Sequence, residues 1–104
     1  MGHYFLVSIE SRHPSKKAMD GLKKSFEKRT LFADYAGKEH SDWVWDPSFF
    51  EVQNPKEARL MFYARGSRPP EPLFEGLQRA GFQFEASSYP ETDYWYSTQI
   101  PLDD

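Results

Sequence analysis

The polar and apolar positions of the N-terminal half follow two different periods. Residues 4–10 alternate, with aromatic and β-branched side chains on one face, and this pattern predicts a β-strand. Residues 16–29 place apolar side chains four residues apart, as at Leu22 and Phe26, which predicts an amphipathic helix. Ser15 stands directly before this segment and is a candidate N-cap.

The middle of the chain predicts a loop followed by two strands. Residues 30–41 end in a polar run that contains glycine, which predicts a loop. Residues 42–53 are rich in aromatic residues but contain Pro47, so they predict two short strands or one bulged strand at a sheet edge. Residues 58–65 alternate again and predict a strand with one apolar and one mixed face.

The C-terminal part predicts a helix and two strands. Pro72 fits the first turn of a helix, and Gly81 fits the position just past its end. Residues 82–89 and 94–100 alternate and predict two strands, joined by a turn at residues 90–93.

This order of elements predicts an α+β fold, specifically a ferredoxin-like βαββαβ sandwich with an additional C-terminal strand. We expect residues 1–104 to form a single domain, with two helices covering one face of an antiparallel sheet and the other face partly open. A length of 104 residues excludes a TIM barrel or a complete Rossmann domain.

Composition excludes several classes of protein. The chain has no Cys, which excludes a disulfide scaffold, thiol catalysis and cysteine-based zinc sites. Aromatic residues make up 17% of the chain, which favours a folded core although the mean hydropathy is -0.78. No apolar run approaches the roughly 20 residues that span a bilayer, and we see no signal peptide, so we expect a cytoplasmic protein without a membrane partner.

The formal net charge of -3 is distributed unevenly. Residues 12–38 carry eight Lys or Arg and three Asp or Glu, a net +5, whereas the remainder carries a net -8. We therefore expect a basic helix on one side and acidic, aromatic strands and loops elsewhere. Such polarity favours binding over catalysis.

Three short motifs lie within residues 40–100. They are Trp-x-Trp-Asp at Trp43, Trp45 and Asp46, Arg-Gly-x-Arg-Pro-Pro at Arg65–Pro70, and Gly-Phe-x-Phe at Gly81–Phe84. Together they resemble the YubB-type ferredoxin-like domains of plasmids and bacteriophages. The resemblance implies the fold and a mobile-element origin, and it supplies no catalytic residue. Small acidic proteins of such elements often inhibit host nucleases or effector complexes, as anti-CRISPR proteins do.

Candidate catalytic and metal-binding residues are few. His13 and Ser15 form half of a His-x-Ser arrangement, but that chemistry needs two such motifs on facing strands. The spacing at His40 does not supply the second. His40, Asp42 and Asp46 offer nitrogen and oxygen donors, yet acids at the start of a strand are ordinarily solvated. We expect no enzyme activity, no cofactor and no metal.

Protein binding is the expected function, because aromatic residues are enriched at interface cores. Aromatic side chains and neighbouring acids form the candidate partner-binding set: Asp42, Trp43, Trp45, Asp46, Glu91, Asp93, Tyr94, Trp95 and Tyr96. Successive aromatic side chains of a strand cannot all face the core. The acids suit a protein partner with a basic surface, such as the nucleic-acid channel of a nuclease. The competing interpretation is that the helices and residues 30–41 cover these aromatic residues.

The second candidate function is RNA or single-stranded DNA binding on the open face of the sheet. The residues that would line this face on the first and third strands are Tyr4, Arg59, Met61, Tyr63 and Arg65. Residues 59–66 do not match the RNP1 pattern. The negative net charge also opposes phosphate binding, so we expect nucleic acid less than a protein partner.

Overall fold

The computed structural model describes residues 3–13, 15–66, 69–89 and 95–97, with side chains described over residues 6–13, 15–65 and 69–87. Its elements are β1 (His3–Arg12), α1 (Lys16–Glu27), β2 (Trp45–Asn54), β3 (Glu57–Gly66), α2 (Glu71–Arg79), β4 (Gln83–Tyr89) and β5 (Trp95–Ser97). The chain is therefore an α+β protein. β5 lies within the predicted strand 94–100, whereas the predicted turn at residues 90–93 lies outside the described residues.

The strands form one antiparallel sheet in the order β2-β3-β1-β4-β5. β1 is central and pairs with both β3 and β4, while β2 lies at the edge and pairs with β3. The register of β2 shifts between Pro47 and Phe49 and again between Val52 and Asn54. Of the two alternatives predicted for this segment, two short strands or one bulged strand, the single bulged strand is confirmed, and Pro47 at the bulge cannot donate to the ladder.

One face of the sheet carries the core. The largest buried side chains on this face and on the helices that pack against it are Val7, Ile9, Leu60, Phe62, Phe84, Met19, Leu22, Phe26, Leu73, Phe74 and Leu77. Burial of each such side chain contributes roughly 1.5–3 kcal/mol, which holds both helices on the same side. Within the described part of the chain, no helix is long and apolar enough to cross a lipid bilayer.

The helix ends follow the signals in the sequence. Oγ of Ser15 accepts a hydrogen bond from the backbone N–H of Ala18 at 3.3 Å, so Ser15 caps α1 as predicted. Pro72 lies in the first turn of α2. Gly81 follows the end of α2 with a φ of 95°, a conformation that glycine adopts with little strain.

Residues 30–41 differ from the predicted loop. Phe32–Ala36 forms a π-helix and Lys38–His40 a 3₁₀ turn, and the side chain of Phe32 is buried. The π-helix lies against α2, where a Cβ on Gly76 would overlap the carbonyl oxygen of Tyr35. The segment is thus part of the core, because glycine at this position lets two backbones approach closely.

Candidate protein-binding surface

The two tryptophans predicted to face a partner pack against the core instead. Trp43 stacks on Phe32 with ring centroids 5.4 Å apart and planes inclined by 14°. Trp45 meets Phe62 edge-on at 5.5 Å. Both indoles are half-buried, and Nε1 of Trp43 is fully buried. This packing agrees with the competing interpretation that residues 30–41 cover these indoles, because the helical segment brings Phe32 over them, and their role in partner binding stays a prediction.

The acids beside these indoles are exposed. Asp42 lies just after the 3₁₀ turn, and Asp46 lies in β2 with its Oδ1 4.0 Å from Nη1 of Arg29. Asp46 pairs opposite Tyr63 of β3, which places it on the face of the sheet away from the helices. Of the two acids, Asp46 therefore belongs to the open face.

The remaining predicted partner-binding residues lie near the C-terminus. Glu91, Asp93 and Tyr94 are outside the described residues. Trp95 and Tyr96 belong to β5, whose backbone pairs with β4 at the sheet edge opposite β2. Their role in binding stays a prediction.

The open face carries apolar side chains that are contiguous across three strands. Phe49 pairs opposite Met61, which in turn pairs opposite Ser8. Two residues along β3, Tyr63 pairs opposite Leu6. Phe49 and Tyr63 are 40% and 46% exposed, and the other two apolar side chains are half-buried. Directly opposite side chains lie within contact distance, so Leu6, Phe49, Met61 and Tyr63 form one surface, the open-face patch.

A row of charged residues borders the patch. Glu51, Arg59, Glu10 and Glu85 are aligned across β2, β3, β1 and β4. Nη2 of Arg59 donates to Oε2 of Glu10 at 3.1 Å. The row thus holds three carboxylates and one guanidinium, and that guanidinium is already paired with Glu10. The border of the patch is net acidic.

The residues predicted for nucleic-acid binding are divided by this geometry. Met61 and Tyr63 lie in the open-face patch, and Arg65 is exposed at its end. Arg59 is held in the ion pair with the β1 carboxylate. The backbone of Tyr4 pairs with Arg65, and its side chain lies outside the described set. The positive charge of Arg59 is therefore neutralised by Glu10, whereas Arg65 has no such pair among the described side chains.

His13 and Ser15 are engaged in structural contacts rather than in a catalytic pair. The backbone N–H of Ser15 donates to Nδ1 of His13 at 2.9 Å. Nε2 of His13 lies 3.1 Å from the carbonyl oxygen of Ala80. Since Oγ of Ser15 caps α1, the interpretation of Ser15 as a helix-capping residue is confirmed.

Phe49 is the surface residue that the sequence pattern missed. Strict alternation from Trp45, which lies opposite Ala64 on the core side, would put Phe49 on the core side as well. The bulge after Pro47 adds one residue and turns Phe49 to the open face. Pro47 predicted a bulge, but the sequence did not show at which residue the alternation of faces resumes.

Neither a metal site nor a known relative helps to assign the function. Across the described side chains, no three His, Asp or Glu residues converge to hold a metal ion. No family model matches the chain, and no curated protein and no solved structure matches it. The function is therefore argued from the surface alone.

Proposed function

We propose that the chain is a non-catalytic protein-binding module whose open-face patch docks on a basic surface of its partner. The observation that carries this proposal is the exposure of Phe49 and Tyr63 beside an acidic border. Exposed aromatic side chains supply the anchors of interfaces, and surrounding carboxylates attract lysine and arginine. The same carboxylates repel phosphate, which favours a protein over a nucleic acid.

The interface must extend beyond the patch itself. A stable interface buries about 800 Å² on each partner, which is more than four partly exposed side chains provide. Asp46 and the aligned carboxylates of Glu51 and Glu85 border the patch and are exposed, so they lie in reach of the same partner. We therefore include the acidic border in the proposed interface.

The strand order supports a ferredoxin-like arrangement, with β5 as an added strand. β2-β3-β1-β4 is the order that two βαβ units produce when both crossovers run over the same face. In such a sheet the helix-free face is the broad surface left for recognition.

We propose a nucleic-acid-processing complex as the partner, because its channel is basic. The acidic border would occupy positions that phosphates otherwise fill, and the chain would act as an inhibitor of the anti-CRISPR kind. A phage or plasmid origin agrees with the resemblance to YubB-type domains. The inhibitory role rests on the acidic border described above.

RNA or single-stranded DNA binding is the second candidate. Tyr63 and Met61 are accessible beside the exposed Arg65, an arrangement on which bases can stack. The acidic border opposes this candidate, since phosphates would lie against Glu51 and Glu85.

Affinity capture tests the proposal with matched variants. The immobilised chain is incubated with nuclease-treated bacterial lysate, and retained proteins are compared for wild type and the double variant Phe49→Ala/Tyr63→Ala. We expect the variant to lose a partner that Lys17→Ala retains, because Lys17 is exposed on α1, on the helix side of the sheet.

Two results would separate the candidates. Retention of the same partner by the double variant would show that the open-face patch is not part of the interface. A labelled single-stranded oligonucleotide that binds at low salt and is released by Tyr63→Ala would favour the nucleic-acid candidate. Binding of the partner at low salt and its loss at high salt is expected for an acidic interface.

A further inference from the structure

A groove of about 410 Å³ runs between α1 and the edge strand β2, on the helix side of the sheet. Met19, Phe50 and Val52 form its apolar floor, and Lys16 and Lys23 stand on its rim. We propose that this groove binds a short extended segment of a partner protein that carries acidic residues on either side of an apolar one. The groove lies on the side of the sheet away from the open-face patch, so this inference does not depend on the proposed function.

The floor of the groove is apolar and accessible. Phe50 and Val52 pair opposite Leu60 and Ala58, which are core residues, so both point to the helix side. Val52 is nevertheless 53% exposed and Phe50 is half-buried. An apolar side chain placed over Val52 would remove this surface from water, which is the driving force for docking.

The rim of the groove is positively charged. Lys16 and Lys23 are seven residues apart on α1, which places them on the same helix face roughly 10 Å apart along the axis. Asp20 lies between them and is 3.1 Å from Lys16, but both side chains are mostly exposed. Exposed pairs of this kind are weak and exchange readily. Two ammonium groups against one carboxylate favour an acidic ligand.

The edge of β2 selects an extended segment over a small anion. Of the described strands only β3 pairs with β2, so the outer edge of β2 can accept another strand through backbone hydrogen bonds. Pro47 cannot donate, and the bulges on either side leave only residues 49–52 in regular register. The bound segment is therefore short.

Strand geometry sets the pattern of the ligand. Side chains two residues apart in a strand point to the same face and lie roughly 6.8 Å apart. A central apolar side chain over Val52 then places acids two residues before and after it roughly 13 Å apart. The two acids then lie on either side of the groove floor, within reach of the flexible side chains of Lys16 and Lys23.

Fluorescence anisotropy with the labelled peptide Glu-Thr-Val-Thr-Glu tests the inference. We expect saturable binding that Lys23→Glu and Val52→Asp each weaken about tenfold, the effect of losing one charge-assisted or apolar anchor. Lys17→Glu makes the same charge change on α1 outside the groove lining and should weaken binding less than about twofold. Both substituted groove side chains are exposed, so the fold is retained.

Two altered peptides complete the test. Glu-Thr-Val-Pro-Glu lacks a backbone donor, and Gln-Thr-Val-Thr-Gln lacks the charges, so both should bind about tenfold more weakly. Absence of saturable binding at millimolar peptide would overturn the inference. Equal effects of Lys17→Glu and Lys23→Glu would overturn it too, by showing non-specific attraction. Unchanged binding of the proline peptide would mean an anion or amphiphile site without strand addition.

Discussion

Nε2 of His13 donates a hydrogen bond to the carbonyl oxygen of Ala80, which lies 67 residues further along the chain, at 3.1 Å. The position of the proton follows from Nδ1, which accepts the N–H of Ser15 at 2.9 Å. A neutral imidazole has one donor and one acceptor, so Nε2 carries the hydrogen. The ring also packs edge-on against Phe82 at 4.8 Å. One side chain thus ties the start of α1 to the end of α2.

Replacing this imidazole should lower stability. We expect His13→Ala to reduce the free energy of unfolding by about 1–3 kcal/mol, because the carbonyl of Ala80 and the N–H of Ser15 both lose a partner. Urea unfolding followed by circular dichroism measures the change. His40→Ala is the control, since the described residues give that side chain no hydrogen bond, and it should change stability by less than about 0.5 kcal/mol. Equal losses in the two variants would contradict the role of His13.

Two glycines in helices should respond to alanine with opposite signs. A Cβ on Gly76 would overlap the carbonyl oxygen of Tyr35, so Gly76→Ala should cost about 1–3 kcal/mol as α2 and the π-helix move apart. Gly21 of α1 has nothing within 4 Å of its added Cβ. Gly21→Ala should therefore stabilise the chain by up to about 1 kcal/mol through helix propensity. Thermal unfolding of both variants compares them directly, and a stabilising Gly76→Ala would refute the close approach.

The helices and strands were predictable where a local signal marks them. Ser15 and Gly81 act through their own side chain or backbone, so they fix the ends of α1 and α2 without knowledge of the fold. The alternation of β3 likewise predicted its buried and open faces. These features depend on a few adjacent residues, which a sequence displays in full.

The parts that sequence could not supply depend on distant partners. The π-helix at Phe32–Ala36 lies against α2 at Gly76, which is 40 residues later, and its polar surroundings indicated a loop. The covering of Trp43 and Trp45 by the same segment was one of two interpretations that the sequence left open. On the surface, the open-face residues of β3 were predicted, but the position of Phe49 depended on where the bulge in β2 falls.

The aromatic contacts of Phe32 should control both stability and tryptophan fluorescence. Phe32→Leu keeps an apolar side chain but removes the stack on Trp43 and the edge contact with Phe62. Aromatic pairs contribute about 0.5–1.5 kcal/mol each beyond burial, so we expect a loss of about 1–3 kcal/mol. Emission should shift to longer wavelength as water reaches the indoles. Tyr63→Leu on the open face is the control and should leave the emission unchanged, whereas unchanged emission in Phe32→Leu would contradict the packing.

Hydrogen bonds from two hydroxyls to Asp34 link α1 to the π-helix, and the neighbouring Tyr35 makes stability depend on pH in the alkaline range. Oγ of Ser25 donates to Oδ2 of Asp34 at 2.5 Å, and Oγ1 of Thr30 donates to the same oxygen at 2.7 Å. Burial raises the pKa of Tyr35 above its usual value of 10.0, a hydrogen bond with Ser25 opposes this rise, and the carboxylate of Asp34 adds to it. The folded chain therefore holds the phenol proton more tightly than the unfolded chain.

This difference in proton affinity fixes the sign of the pH dependence. The contribution of Tyr35 is complete below pH 10, the value for the unfolded chain, and it is lost as the pH rises through the higher folded pKa. The free energy of unfolding should fall more steeply with alkaline pH in wild type than in Tyr35→Phe, which has no phenol proton to lose. Urea unfolding of both proteins between neutral pH and strongly alkaline pH measures this, and the other tyrosines cancel in the comparison.

The variant Asp34→Asn tests how much of the raised pKa of Tyr35 is due to the carboxylate of Asp34 rather than to burial. The amide oxygen can still accept from Ser25, but the charge that opposes phenolate formation is gone, so the pKa of Tyr35 should be lower than in wild type. A ring-labelled NMR titration of Tyr35 reports this directly. The alkaline decline in stability should then be smaller than in wild type, because the folded pKa of Tyr35 lies closer to that of the unfolded chain. Parallel alkaline slopes for wild type and Tyr35→Phe would show instead that Tyr35 ionises alike in both states, and that the two hydroxyls stabilise the π-helix through hydrogen bonds alone.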